Sequence, residues 1–234
     1  MAYRLFLTVR PAPSAEDIEP LRDSLEKLFP HKDNAAYLNA LCGSPDRSAL
    51  PRVAAERLGA LSLLPSLLAA AEIDTKPLIL RRNSHGRPYC ETVCGSVDFD
   101  FNLSHSAGHI AGALLVGGGR VGVDIEEFIP PKRALPLIGR FCTEGELAIL
   151  ADIPHDETLA ARFFTSTWVE REAIAKQEGG GMPLRFDTAR LPDGIMLWSG
   201  HLPETETAIA LCAPLKNSPT APRILPDSLP VKFS

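Results

Sequence analysis

Apolar and polar residues alternate from Tyr3 to Arg10, the two-residue period of a strand with one buried face. Ser14-Ala15-Glu16-Asp17 follows as an N-cap with early acids and opens a helix running to about Phe29. A second helical stretch extends from about Leu50 to Ala71, interrupted at Pro65. Leu78 to Arg82 reads as a short strand, Asn83 to Pro88 as a turn and Phe99 to Leu103 as another strand.

Ile110 to Val116 is an apolar strand, Gly117-Gly118-Gly119-Arg120 a turn and Val121 to Glu126 a return strand, which together predict a hairpin. Pro130-Pro131 ends that block. Helical pattern resumes over Ala134 to Phe141, and Thr143-Glu144-Gly145-Glu146 opens another helix through a capping-type sequence. A longer helix covers roughly Asp156 to Gln177 and stops at Gly179-Gly180-Gly181. Alternation returns near Gly194 to Trp198 and Ala208 to Ala213, and the proline-rich tail from Pro214 is expected to be irregular and partly mobile. Each half mixes strands and helices, an α+β pattern with its boundary near Gly117 to Gly122.

Composition narrows the class. The 234 residues, 45% hydrophobic and 23% charged, suit one large globular domain or two small ones. No apolar run reaches the ~18–20 residues of a membrane span, because Ser62, Pro65 and Ser66 break the longest candidate, Leu58 to Ala71. The start Met1-Ala2-Tyr3-Arg4 lacks a signal-peptide pattern, so the cytoplasm is the expected location and no membrane partner is expected. Cys42, Cys90, Cys94, Cys142 and Cys212 are scattered and odd in number, which implies neither a disulfide framework nor a zinc site. A net charge of −5 argues against bulk nucleic-acid binding and leaves room for a local basic patch.

Four short segments carry candidate chemistry. In Gly122-Val123-Asp124-Ile125-Glu126 the two acids lie two apart on a strand and project to one face. Side by side they repel, and a hard divalent cation relieves that; an acidic, solvated strand end gives the same pattern. Trp168, Glu172 and Lys176 lie four apart on one helix face, as in a functional stripe or an ordinary charged surface. In Phe101-Asn102-Leu103-Ser104-His105-Ser106 two hydroxyls flank a histidine, able to present donors to an anion or to bond their own backbone. No Gly-x-Ser-x-Gly elbow supports a Ser/His hydrolase. Gly86-Arg87-Pro88 sets an arginine in a rigid turn, where its fork could grip phosphate.

Taken in order, the four segments resemble the Sfp-like 4′-phosphopantetheinyl transferases, whose pattern is Gly-Lys-Pro, Phe-Asn-x-Ser-His-Ser, Gly-x-Asp-x-Glu and Trp-x-x-Lys-Glu-(Ala/Ser)-x-x-Lys. The resemblance spans about residues 80–182 and departs at Arg87 and Arg171, where the pattern has lysine. It implies two similar α/β subdomains in a pseudo-twofold arrangement, 1–120 binding the coenzyme A phosphates and 121–234 carrying the metal site and catalytic helix. It further implies Mg²⁺ held by Asp124, Glu126 and Glu172, with Glu172, Lys176 and Asp124 as catalytic residues. Arg87, Pro88, Ser104, His105 and Lys176 would hold coenzyme A, with Arg47, Arg52 and Arg57 further candidates for its 3′-phosphate, and Trp168 would pack the site. The acceptor would be a serine of an apo acyl or peptidyl carrier protein, and the enzyme a monomer. A metal-dependent nucleotide phosphohydrolase and a non-catalytic coenzyme A or carrier-protein binding module are the alternatives.

Overall fold

The computed structural model describes residues 3–42, 51–106, 108–152, 156–179, 193–203, 205–215 and 221–233. The expected helix start at Leu50, the stop residues Gly180 and Gly181, and Arg47 lie outside them. The chain opens with β1 (Arg4–Pro11), then α1 (Ile18–Leu28), α2 (Lys32–Cys42) and α3 (Pro51–Ala70). Next come β2 (Ile79–Arg82), β3 (Pro88–Thr92), β4 (Gly95–Ser96), β5 (Phe99–Ser106), β6 (His109–Val116) and β7 (Gly122–Glu127). Three helices follow: α4 (Pro131–Phe141), α5 (Glu144–Asp152) and α6 (Glu157–Glu178). The chain ends with β8 (Ile195–His201), β9 (Thr207–Pro214), β10 (Arg223–Ile224) and β11 (Lys232–Phe233).

One sheet has the order β10-β1-β6-β5, a second β11-β8-β9-β7, and a small third β2-β3-β4. The two larger sheets pack face to face. Leu5, Leu7, Val9, Ala113 and Leu115 of the first meet Val123, Ile125, Ile209 and Leu211 of the second in one buried cluster. The first sheet's other face, with Phe6, Phe101 and Leu114, is covered by Leu25, Leu38, Leu64 and Leu67 of α1, α2 and α3. Val169 and Ala173 of α6 cover Ala208, Ala210 and Cys212 on the second. Strands buried on both faces read as continuous apolar runs, which explains the sequences of β6 and β9. The result is an α+β fold.

Four expectations are corrected. The hairpin of Ile110–Val116 with Val121–Glu126 does not form: β6 pairs with β1 along one edge and β5 along the other, so β7 passes to the second sheet and pairs with β9. Pro65 does not interrupt α3, which is continuous around it; packing of the helix outweighs the ~3 kcal/mol an internal proline costs. By length and composition α3 is long and apolar enough to cross a membrane, but eleven of its residues are buried within the protein. The tail is not simply irregular, since β10 pairs parallel to β1 and β11 antiparallel to β8.

The expected capping sequence of α5 and the expected stop of α6 at Gly179 correspond to observed structure. Thr143 and Glu146 form a reciprocal box, the Thr143 amide donating to Glu146 Oε2 at 2.8 Å and the Glu146 amide to Thr143 Oγ1 at 3.3 Å. α6 is capped by Asp156, whose side chain accepts from the Thr158 and Leu159 amides, and ends at Gly179 with φ 77°.

Candidate functional site

The site forms where β5, β7 and α6 meet. β7 is bonded along one edge to β9. Its other edge meets side chains of β5 instead of backbone. Asp100 accepts from the Val121 amide at 2.8 Å, Asn102 from Val123 at 2.9 Å, Ser104 from Ile125 at 3.4 Å and Ser106 from Glu127 at 3.4 Å. Both strands have a two-residue repeat, so every second side chain of β5 meets every second amide of β7. This ladder satisfies N–H groups, those of Val123 and Ile125 buried, on an edge with no backbone partner.

Gly122 brings α6 close. A Cβ there would stand 1.9 Å from the Ala173 carbonyl oxygen and 2.7 Å from the Gln177 nitrogen. That approach lets Lys176 reach β7. Its ammonium donates to Asp124 Oδ1 at 2.6 Å, Ser104 Oγ at 2.9 Å and the Val123 carbonyl at 3.3 Å, which uses all three of its donors. Asp124 is buried, at 5% exposure, and also accepts from the Ser104 hydroxyl at 2.8 Å. Glu126 accepts from Ser106 Oγ at 3.0 Å.

The three acids feel one another. Burial is the main cause that raises Glu172 to about 7; Asp124 adds to it, Lys176 opposes, and Glu126 adds a further push. Burial also raises Glu126, opposed by the Ser106 hydrogen bond and reinforced by Asp124. The oxygen donors suit a hard divalent cation. As the side chains stand, no three His, Cys, Asp or Glu among the described residues form a ready ligand cluster. Asp124 is engaged by Lys176 and Ser104, and Glu126 by Ser106.

A cleft of about 310 Å³ is lined by Gly86, Arg87, Pro88, Glu172 and Lys176 among others, while Glu126 lines a separate cleft of about 270 Å³ with Arg133. A second cleft beside the first, of about 200 Å³, shares Pro88 and Leu103 with it and adds Tyr37, Arg57, Arg82 and His105. Another, of about 320 Å³, lies on another face of α6 beside Thr165, Val169 and Glu170 and contains none of the candidate acids.

Not every candidate reaches the clefts with a group to spare. Arg87 is directed inward: its guanidinium, 10% exposed, pairs with Asp100 at 2.5 Å and donates to the carbonyls of Phe101, Val121 and Lys176. The fork of an arginine suits this, tying β5, β7 and α6 at one point. Ser104 donates once and accepts twice, its full capacity. Arg171, buried, bonds the Phe141 carbonyl and Glu146 and so ties α6 to the end of α4 and to α5. Trp168 packs edge-on to Phe141 at 5.4 Å and near Phe164 at 5.9 Å.

His105 lines the second cleft, with its Nδ1 3.3 Å from Glu56 Oε2. Glu56, 6% exposed, is bound on its other oxygen by Arg52 Nε at 2.9 Å. The sequence marks no role for Glu56, Asp100 or Asn102, and Ser106, expected to face an anion or bond its own backbone, instead bonds Glu126 and the Glu127 amide. The alternating polar face of β5 was the available signal for Asp100, Asn102 and Ser106; nothing local marks Glu56.

Residues 120–195, about a third of the chain, match the model of the 4′-phosphopantetheinyl transferase superfamily. No curated protein matches the chain. The matched stretch contains Asp124, Glu126, Glu172 and Lys176, and it supports a transferase of the phosphopantetheinyl class.

Proposed function

We propose that the protein is an Sfp-type transferase that moves the 4′-phosphopantetheine arm of coenzyme A to a serine of an apo acyl or peptidyl carrier protein. The observation that carries this is the meeting of Asp124, Glu126, Glu172 and Lys176, the last two lining a cleft, within the stretch that matches the family.

In the reaction the carrier serine oxygen forms a bond to the β-phosphorus, the bond from that phosphorus to the bridging oxygen breaks, and adenosine 3′,5′-bisphosphate leaves. Phosphoryl transfer of this kind needs positioning and charge neutralisation more than covalent help. Asp124, Glu126 and Glu172 would hold Mg²⁺, which supplies charge neutralisation on the pyrophosphate when bound. Glu172 is the candidate base that takes the proton of the serine hydroxyl. Lys176 turns part of its positive charge to the phosphates. Arg57 and Arg82 in the second cleft form a cationic end suited to the 3′-phosphate, with His105 beside them, and Pro88 shapes the wall between the clefts. Arg87 and Ser104 support this surface from behind. We further propose a cytoplasmic monomer with two pseudo-twofold related halves.

The test is incubation of the protein with coenzyme A, Mg²⁺ and a panel of apo carriers. A carrier mass gain equal to the phosphopantetheine arm is expected. Bisphosphate release without any carrier would instead favour a nucleotide phosphohydrolase, and binding without turnover a non-catalytic module.

A further inference from the structure

Ser106 holds Glu126 from outside the strand that carries it. Its Oγ accepts the Glu127 amide at 3.4 Å and donates to Glu126 Oε1 at 3.0 Å. With the amide on one lone pair, the hydroxyl proton is free to point at the carboxylate. Ser104 repeats the arrangement two residues earlier, accepting from Ile125 and donating to Asp124. The same edge of β5 therefore sets the β7 backbone and aims both β7 carboxylates. Asp124 has Lys176 as a second holder. Glu126 has a longer side chain with more rotatable bonds, so Ser106 counts for more in fixing its orientation.

We propose that Ser106 is a positioning residue for Glu126, holding Oε1 so that the carboxylate is presented in one orientation to a divalent cation. The role rests on Asp124 and Glu126 being ligands of that cation. Groups that orient ligands without touching the ion commonly govern affinity by ~10–100-fold.

Ser106→Thr keeps the hydroxyl, and Ser106→Val has nearly the same shape without it. Three readouts apply to the full chain: Mn²⁺ binding, from loss of the free-ion paramagnetic resonance signal; separate KM values for metal and coenzyme A; and the unfolding midpoint. The valine variant is expected to bind Mn²⁺ about tenfold more weakly than the threonine variant, which stays within about twofold of the parent protein. KM for coenzyme A should be shared by the two, and so should the midpoint. On a Glu126→Gln background the difference between them should shrink toward none. Equal Mn²⁺ affinity of the two variants overturns the proposal, as does a full difference that survives Glu126→Gln. If the valine variant loses cooperative unfolding, Ser106→Ala takes its place against threonine under the same criteria. A parent protein that binds no Mn²⁺ and modifies no carrier overturns the metal-site reading and this role together; one that does both while the variants agree overturns this role alone.

Discussion

Nδ1 of His105 stands 3.3 Å from Oε2 of Glu56, joining β5 to α3 through a carboxylate that is only 6% exposed. A carboxylate at Nδ1 favours the imidazolium, in which Nε2 is a donor as well and can serve a phosphate oxygen. Glu56→Gln should therefore raise KM for coenzyme A several-fold while kcat changes little. Steady-state kinetics with coenzyme A varied would check it, and a fall confined to kcat would contradict it.

The same pair gives a pH dependence. Burial pushes His105 below its usual value; Glu56 opposes this, while Lys176 and Arg57 add to it. The unfolded chain therefore binds more protons than the folded one just below pH 6.5, and stability falls as pH drops through that region. His105→Asn should flatten this part of the curve. Thermal midpoints of parent and variant between pH 7 and 5 test it, and parallel curves would refute it.

Gly122→Ala should cost about 1–3 kcal/mol of stability, the usual range for overpacking, because its Cβ meets the Ala173 carbonyl at 1.9 Å. Moving β7 off α6 also separates Asp124 from Lys176, so transfer activity should fall even in protein that remains folded. Urea titration and the carrier assay read the two effects separately.

Arg87→Met should act on stability first. It leaves Asp100, itself raised by burial, without its guanidinium, and breaking a buried pair costs about 3–5 kcal/mol. A variant with an unchanged unfolding midpoint and a raised KM for coenzyme A would return Arg87 to direct phosphate binding.

Thiol labelling offers a check independent of function. Cys94 is exposed, whereas burial pushes the Cys90 and Cys212 thiols up to about 12. Cys94 should react rapidly with a thiol reagent at neutral pH, while Cys90 and Cys212 should wait for unfolding. Mass mapping of the labelled peptides decides.

Local spacing, two apart on a strand and four on a helix, puts Asp124 with Glu126 and Glu172 with Lys176 on shared faces, but it fits an ordinary charged surface equally well; the order of four motifs is what singles them out as candidates. The capping sequence Thr143 to Glu146 was legible from such local rules. What stayed hidden depends on which strands become neighbours. Two apolar runs joined by glycines suit a hairpin, yet both edges of β6 are occupied by strands that local periodicity does not choose. Arg87 was read as a phosphate grip because its partners, Asp100 and three carbonyls, come together only when β5, β7 and α6 assemble. Glu56 was invisible because nothing near it in sequence distinguishes it from a surface acid.

β10 lies along β1, although it belongs to the last dozen residues of the chain. On a ribosome, β1, β5 and β6 emerge well before Arg223, and during that interval one edge of β1 has no strand to pair with. An unpaired edge of this kind invites pairing with other nascent chains. Synthesis rate and chaperone supply should therefore influence the yield of this protein more than its finished stability suggests, and chains terminated before Arg223 should aggregate even though most of their first sheet is already encoded.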